Sequence, residues 1–457
     1  MKIWKISMIV MALIIVMSWA PFIFGAVSSE EAAKLGTTLT GFGAEKAGNK
    51  DGTIPPYTEG LTKSPANFKP RSGVRPDPFA GEKPLLSINA QNMNQYADKL
   101  TEGAKALMKR YPTFHTDVYK THRTIAYPDY VIKNTSKNAA TATTYNGGLS
   151  VKGAWAGYPF PIPKDGYEVM WNHQLRYMGR ASETVYSYYC VDASGKLFLT
   201  GEVIAWLDYL FYDEAKSNTN SFWRAKIYYT GPTRRIGEAI QIDDPLNYYE
   251  KGRVAYQYLP GQRRVKLAPE VGFDTPSTMS SGATTYDESK IYNGSMERYN
   301  FKLIGKKEFY IPYNTYQATY MSKAGDLFGP KHLNPDLLRW ELHRMWVVEA
   351  TLKPGKRHIY AKRVYYVDED SWAALANENY DAHGVLYKVN FAHQAPSYDL
   401  PAGFAEFTVS YNFMNGVYNV EDWPGISVAG KRGFVISAKP RSDREWAPLV
   451  LTGQGIR

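Results

Sequence analysis

The sequence is poor in the residues that build local chemistry. One cysteine, Cys190, stands among 457 residues, so no intramolecular disulfide can form and no thiolate metal cage is available. The eight histidines, at 115, 122, 173, 332, 343, 358, 383 and 393, show neither H-E-x-x-H nor H-x-x-x-H spacing, and no metal site is assigned. A G-x-S-x-G elbow, a P-loop and a strand-to-helix dinucleotide fingerprint are all missing. Enzymes that announce themselves by motif are thereby excluded, and neither a cofactor nor a catalytic residue is assigned. After residue 26 no apolar run is long enough to span a bilayer, and no fixed repeat marks a propeller or solenoid. At 21% charged the chain is neither a coiled coil nor a disordered tail.

What is abundant is aromatic. The chain holds 36 Tyr, 19 Phe and 11 Trp, side chains that suit the pleated, half-buried surface of sheets. At the start, two lysines within Met1–Lys5 precede an apolar run from Ile6 to Trp19, with small residues at Gly25 and Ala26. This pattern reads as a signal peptide, residues 1–26, cleaved near Ala26, so that the mature protein is exported. Phe24 is unusual three residues before such a cut, which leaves an uncleaved anchor as the alternative. Removing Lys2 and Lys5 lowers the net charge from +10 to +8. The remaining cations are scattered, and export removes nucleic acid as a partner. A basic exported surface favours anionic lipid or an acidic protein; charge for solubility is the simpler account. Cys190, within the run Tyr186–Val191, reads as a buried, inert thiol.

Residues 27–87 form a Pro/Gly-rich segment with prolines at 55, 56, 65, 70, 76, 78 and 84, which deny it a central strand or long helix. It reads as a strap over the main body, with a disordered linker as the alternative, and Gly48–Pro55 as consecutive tight turns. A helix is expected from a cap at Asn89, with Met93, Tyr96, Leu100, Ala104 and Leu107 on one stripe, ending at Tyr111-Pro112. From there the period becomes two. Val254–Tyr258 and Arg263–Leu267 flank a turn, and Leu338–Leu352 returns through Lys353–Lys356 into His358–Val367. Asp368, Glu369 and Asp370 could be taken for a metal site, but at a strand end they read as caps for a short helix, Trp372–Asn377, before a strand at Val385–Phe391. Residues 88–457 thus read as a single domain, mainly β (α+β), built on one large curved antiparallel sheet with a few helices on one face.

Two pairs stand out as candidate ligand contacts. Arg263 and Arg264 follow a tight turn, where they could grip a phosphate or carboxylate at the sheet rim, or simply be solvated. Trp340 and Trp346 could line a cavity or be plain core.

The run Leu39–Pro55 (LTGFGAEKAGNKDGTIP) resembles the N-terminal signature of a periplasmic family, the domain-of-unknown-function 1329 family. Further matches are Tyr111–Thr113, Tyr119–Arg123, Tyr258–Val265, Tyr310–Asn314, Leu342–Ala350, Gly355–Tyr360 and Tyr366–Trp372. That family is similar to outer-membrane lipoprotein-sorting carriers of the LolA/LolB kind, whose half-open β-barrel is closed by helices around an apolar cavity. The resemblance implies a non-enzyme working with a resistance-nodulation-division exporter of the inner membrane and an outer-membrane β-barrel protein. The leading expectation is a periplasmic carrier that shields a lipid or other hydrophobic molecule in the concave face of its sheet. An adaptor that docks envelope partners without cargo is the alternative, and an envelope hydrolase a remote third. A cavity of several hundred cubic ångströms favours the carrier, and a filled interior the adaptor.

Overall fold

The computed structural model describes residues 27–216, 219–400 and 402–454, so the expected leader and its cleavage point lie outside the described residues. In chain order the strands are β1 (Leu86–Ile88), β2 (Thr116–Val118), β3 (Thr143–Tyr145), β4 (Ser150–Lys152), β5 (Ala181–Val191), β6 (Leu197–Asp208), β7 (Ser221–Gly231), β8 (Ala239–Pro245) and β9 (Val254–Leu259). They continue with β10 (Arg264–Leu267), β11 (Tyr299–Pro312), β12 (Trp340–Leu352), β13 (Lys362–Asp368), β14 (Ala374–Tyr380), β15 (Leu386–Ser397), β16 (Ala402–Asn412), β17 (Tyr418–Trp423) and β18 (Phe434–Ser437).

Sixteen of these form one sheet in the order β1-β2-β12-β13-β14-β15-β16-β17-β5-β6-β7-β8-β9-β10, with β11 also on β12 and β18 on β5. Two up-and-down meanders, β5–β10 and β11–β17, meet where β17 pairs with β5. Between these sheet strands, among the described residues, pairing is antiparallel except for one parallel bridge, Trp340 to Val118. Register shifts at Tyr188/Tyr189, Glu202/Val203, Leu303/Gly305 and Ala395/Ser397 bend the strands and increase their twist, curling the sheet without closing it. The expected hairpins are present: Arg263 takes a left-handed conformation (φ 51°) between β9 and β10, and Gly355 (φ 77°) turns the chain after β12. Among the described residues no helix is long and apolar enough to cross a membrane.

The alternation along β12 implied one wet face, yet Arg339, Glu341 and His343 are buried. Their face is covered by the N-terminal chain and closed by charge pairing. Glu82 accepts from Arg339 (2.7 Å), the backbone N–H of His122 donates to Glu341 (2.8 Å), and Phe79 stacks on the His122 ring (4.2 Å between centroids). Burial opposes ionisation of Glu341, but His343 and Arg339 outweigh it and hold the carboxyl below its usual range. Residues 27–85 contain one short helix, Ser29–Ala32, and otherwise turns and extended chain. Within them Asn49 closes the expected tight turns by accepting from the Ile54 N–H (2.9 Å). Phe42 offers its carbonyl to the Trp372 indole (2.9 Å), and Arg123 donates to both the Glu45 carbonyl (2.8 Å) and Asp370 (2.6 Å).

Two sequence expectations are corrected. The stripe from Met93 to Leu107 is one face but two elements, a 3-10 helix Met93–Lys99 and an α-helix Glu102–Arg110, separated by extended Leu100. Thr101 causes the restart, its hydroxyl accepting from the Ala104 N–H (3.1 Å), while Asn89 caps nothing and accepts from Gln91 instead. Trp372–Asn377 is not a helix; its chain enters β14, between β13 and β15. Asp368 spends its carboxylate on the tight turn, accepting from the Ser371 N–H (2.8 Å) and hydroxyl (2.7 Å), and Glu369 and Asp370 are taken by arginines. Ladder pairing then overrides the local capping signal.

Gly43 sets how closely the N-terminal chain docks. It sits at φ 98°, and a Cβ there would lie 2.0 Å from the Pro161 carbonyl oxygen. Gly43→Ala is expected to destabilise the protein by about 2 kcal/mol or more in urea denaturation and to expose residues 37–60 to protease.

Candidate functional site

The four sequence candidates do not converge. Arg263 and Arg264 are exposed on the β9–β10 hairpin at one edge of the sheet, whereas Trp340 and Trp346 share a face of β12 near the other. Trp340 is fully buried against Phe391 (5.4 Å), and half-buried Trp346 lies parallel to Trp372 (6.2 Å) with the Lys306 ammonium 4.5 Å above its ring.

The concave side, where cargo was expected, is occupied by the protein itself. Helix Gly166–Gln174 is buried at every position except Tyr167, which is why it shows no amphipathic stripe; Asp165 caps it by accepting from Glu168. Gly166 is required there, since a Cβ would lie 2.7 Å from the Phe301 backbone. His173 accepts from the Ala374 N–H (2.9 Å), and desolvation together with Arg176 pushes its imidazole well below the usual range. Residues 268–298 cross the same side and reach β13, β15 and β17. Asp287 accepts from Arg363 (2.8 Å) and pairs with His358 (3.0 Å), Glu288 pairs with Lys388 (3.0 Å), and Thr284 donates to Glu421. The Arg363 guanidinium lies 5.3–5.9 Å from the rings of Tyr292, Tyr299, Tyr360 and Tyr365. Burial would raise the Asp287 carboxyl, but Arg363 and His358 prevail and hold it far below the carboxylate range. At Glu421 burial outweighs the Thr284 hydrogen bond and the charge of Lys388, and pushes the carboxyl up to about 7.

Beneath this segment remains a void of about 40 Å³, walled mostly by apolar side chains such as Tyr186, Leu207, Trp223 and Ile242, with Arg253 and Asp422 also at its wall. It has room for water and not for a lipid chain.

Room exists elsewhere. A groove of about 850 Å³ runs between residues 62–75 and the segments 398–400 and 435–439, with Phe68, Pro70, Tyr398, Leu400, Val435 and Ile436 as its apolar surface. Phe68 meets Tyr398 edge to face (5.3 Å). Arg75 anchors the floor: its guanidinium donates to both Asp399 oxygens (2.6 and 3.2 Å), to the Tyr320 hydroxyl (3.3 Å) and to the Val435 carbonyl (3.3 Å). Gly73 (φ 72°) lets the chain lie against β18, since a Cβ would come within 2.4 Å of Phe434. Sequence reasoning missed this site because its walls come from opposite ends of the chain. The signal available was Phe68, Arg71 and Arg75 set among prolines.

Two smaller features lie outside the groove. Cys190 is half-buried, and burial pushes its thiol up. His115 lies 3.2 Å from Asp336 and 3.7 Å from Asp117, forming a partly exposed cluster.

The fold defines a mainly β protein whose many-stranded sheet curls into a half-open barrel and is filled from its concave side. The chain belongs to the family described as protein of unknown function, DUF1329, whose family model matches residues 87–446. An uncharacterized protein of Pseudomonas aeruginosa is 39% identical over 439 residues, 95% of each chain. Among solved structures, the chain is similar to a DUF1329 family protein from Desulfovibrio piger, at 15% identity and TM-score 0.42, covering 63% of this chain and 97% of that one. It is also similar to a LolA superfamily protein from Nitrosomonas europaea, at 11% identity and TM-score 0.35, covering 62% and 98%.

Two outcomes test these placements. Trp340→Ala is expected to cost about 3–5 kcal/mol in chemical denaturation, as for a core aromatic, whereas Arg263→Glu should stay within about 0.5 kcal/mol of wild type. Because the folded-state pKa of Asp287 is depressed, its pairing stabilises the fold above the ordinary carboxylate range and is lost as pH falls through that range and below. Urea titrations between about pH 5 and pH 3 should therefore show a shallower loss of stability in Asp287→Asn than in wild type.

Proposed function

We propose that the protein is an exported, periplasmic carrier of a lipid or other hydrophobic molecule, and that the cargo lies in the groove between residues 62–75 and β18. The observation that carries this reading is the groove itself. Its 850 Å³ falls within the range of small-molecule sites, about 300–1,000 Å³, and its surface is mostly apolar. An alkyl chain in water costs about 0.8 kcal/mol per CH2, so a molecule crossing an aqueous compartment gains from such a lining. The interior void is too small to serve, and no catalytic constellation enters the proposal. The signal peptide over residues 1–26, which rests on its charge and apolar pattern, and partnership with an inner-membrane exporter and an outer-membrane β-barrel protein, which rests on the sequence resemblance, belong to the same proposal.

A second reading, the adaptor, draws on the filled concave side and on the exposed basic hairpin carrying Arg263 and Arg264, whose strand β10 is an unpaired sheet edge. On that reading the hairpin docks a partner and the groove stays empty.

A fluorescent long-chain fatty-acid probe separates the two. The carrier requires saturable uptake, with affinity reduced about tenfold or more by Phe68→Glu or Ile436→Glu, and a bound apolar species in native mass spectra of protein from its own host. No uptake and no extractable lipid would sink it in favour of the adaptor.

A further inference from the structure

The groove carries charge as well as apolar surface, and the charge is one-sided. Arg75 and Asp399 neutralise each other at its floor through two hydrogen bonds, so Asp399 does not repel an incoming anion. Arg71 and Lys439 also line the groove, from opposite walls, and both are exposed. Neither makes an ion pair or hydrogen bond among the described residues. Arg71 is held in the left-handed region (φ 61°), uncommon for a residue with a side chain, two positions before the glycine that seats the chain on β18. Hydroxyl groups of Thr62, Ser64 and Ser437 line the same groove. The site therefore joins an apolar trough to two unpaired cations and neutral hydrogen-bond donors.

Resting on the carrier reading above, we infer that the groove selects a single-chain anionic amphiphile, with the chain along Phe68, Tyr398 and Ile436 and an oxyanion head, carboxylate or phosphate, between Arg71 and Lys439. An uncharged head would leave both cations without a partner. A cationic head would be repelled by them. A polar anion without a chain would gain nothing from the apolar surface. Arginine suits this head group because its planar fork donates two parallel hydrogen bonds to a carboxylate or phosphate.

The test compares three ligands of equal chain length on the mature full-length chain by titration calorimetry below their micelle concentrations: a fatty acid, a lysophosphatidic acid and the corresponding fatty alcohol. The fatty acid, the lysophosphatidic acid or both should bind about tenfold or more tightly than the alcohol, and which of them does so identifies the head group. That advantage should shrink as salt is raised. The double variant Arg71→Glu, Lys439→Glu should abolish the advantage while keeping alcohol binding, and Arg71→Lys, Lys439→Arg should retain most of it. Both positions are exposed, and unchanged thermal unfolding of each variant verifies the fold. Equal affinity for all three ligands would overturn the inference and leave the carrier reading standing. An anion preference that survives the double reversal would also overturn it, by placing the head group elsewhere. Failure of every ligand, the alcohol included, would remove the carrier reading and the inference with it.

Discussion

A strand with charged residues on one face must either keep that face wet or pair every charge it buries. This protein takes the second course. Arg339, Glu341 and His343 on β12 lie under the N-terminal chain, and each finds its complement there or on β12 itself: Glu82 for Arg339, and Glu341 for both Arg339 and His343. The same rule governs the concave side, where Asp287 meets Arg363 and Glu288 meets Lys388. Buried ion pairs add little net stability over well-packed apolar residues, but removing one partner leaves an unpaired charge that costs several kcal/mol. The covering segments are therefore held in register by the penalty for moving them, rather than by any large gain from their being there.

That pairing decides what the sheet can hold. A half-open barrel with an aromatic inner face looks like a container, yet helix Gly166–Gln174 and residues 268–298 fill it, the second fixed by charges from three different strands. Space large enough for a ligand survives where the N-terminal chain crosses β18, because the contact there is made through a glycine and one arginine rather than a continuous apolar interface.

The sheet was legible in the sequence because strands with period two and turns such as Lys353–Lys356 encode themselves locally. What was not legible is what covers it. Alternation along Leu338–His343 gives the two faces but cannot say whether the polar one is wet, since Glu82 lies far away in the chain. Helix Gly166–Gln174 gave no periodic signal because it is buried all round. The acidic run Asp368–Asp370 looked like helix caps because local capping and long-range pairing use the same carboxylates; only Arg123 and Arg344, distant in sequence, show which claim prevails. Of the candidate site, the sequence singled out Arg263, Arg264, Trp340 and Trp346, all conspicuous within their own hairpins. The groove residues were missed because neither wall is meaningful without the other.

The seam between β17 and β5 bears on how the molecule is made. Tyr418 pairs with Val191 and Val420 with Tyr189, so the first meander waits for nearly the whole remaining chain before its inner edge is covered. Until β17 and β18 are made, that edge of β5 is bare, a row of unpaired amides beside tyrosines. The pairing that joins the two meanders thus has a high sequence separation, which makes it a slow step of folding and leaves that edge open to wrong pairing while it waits.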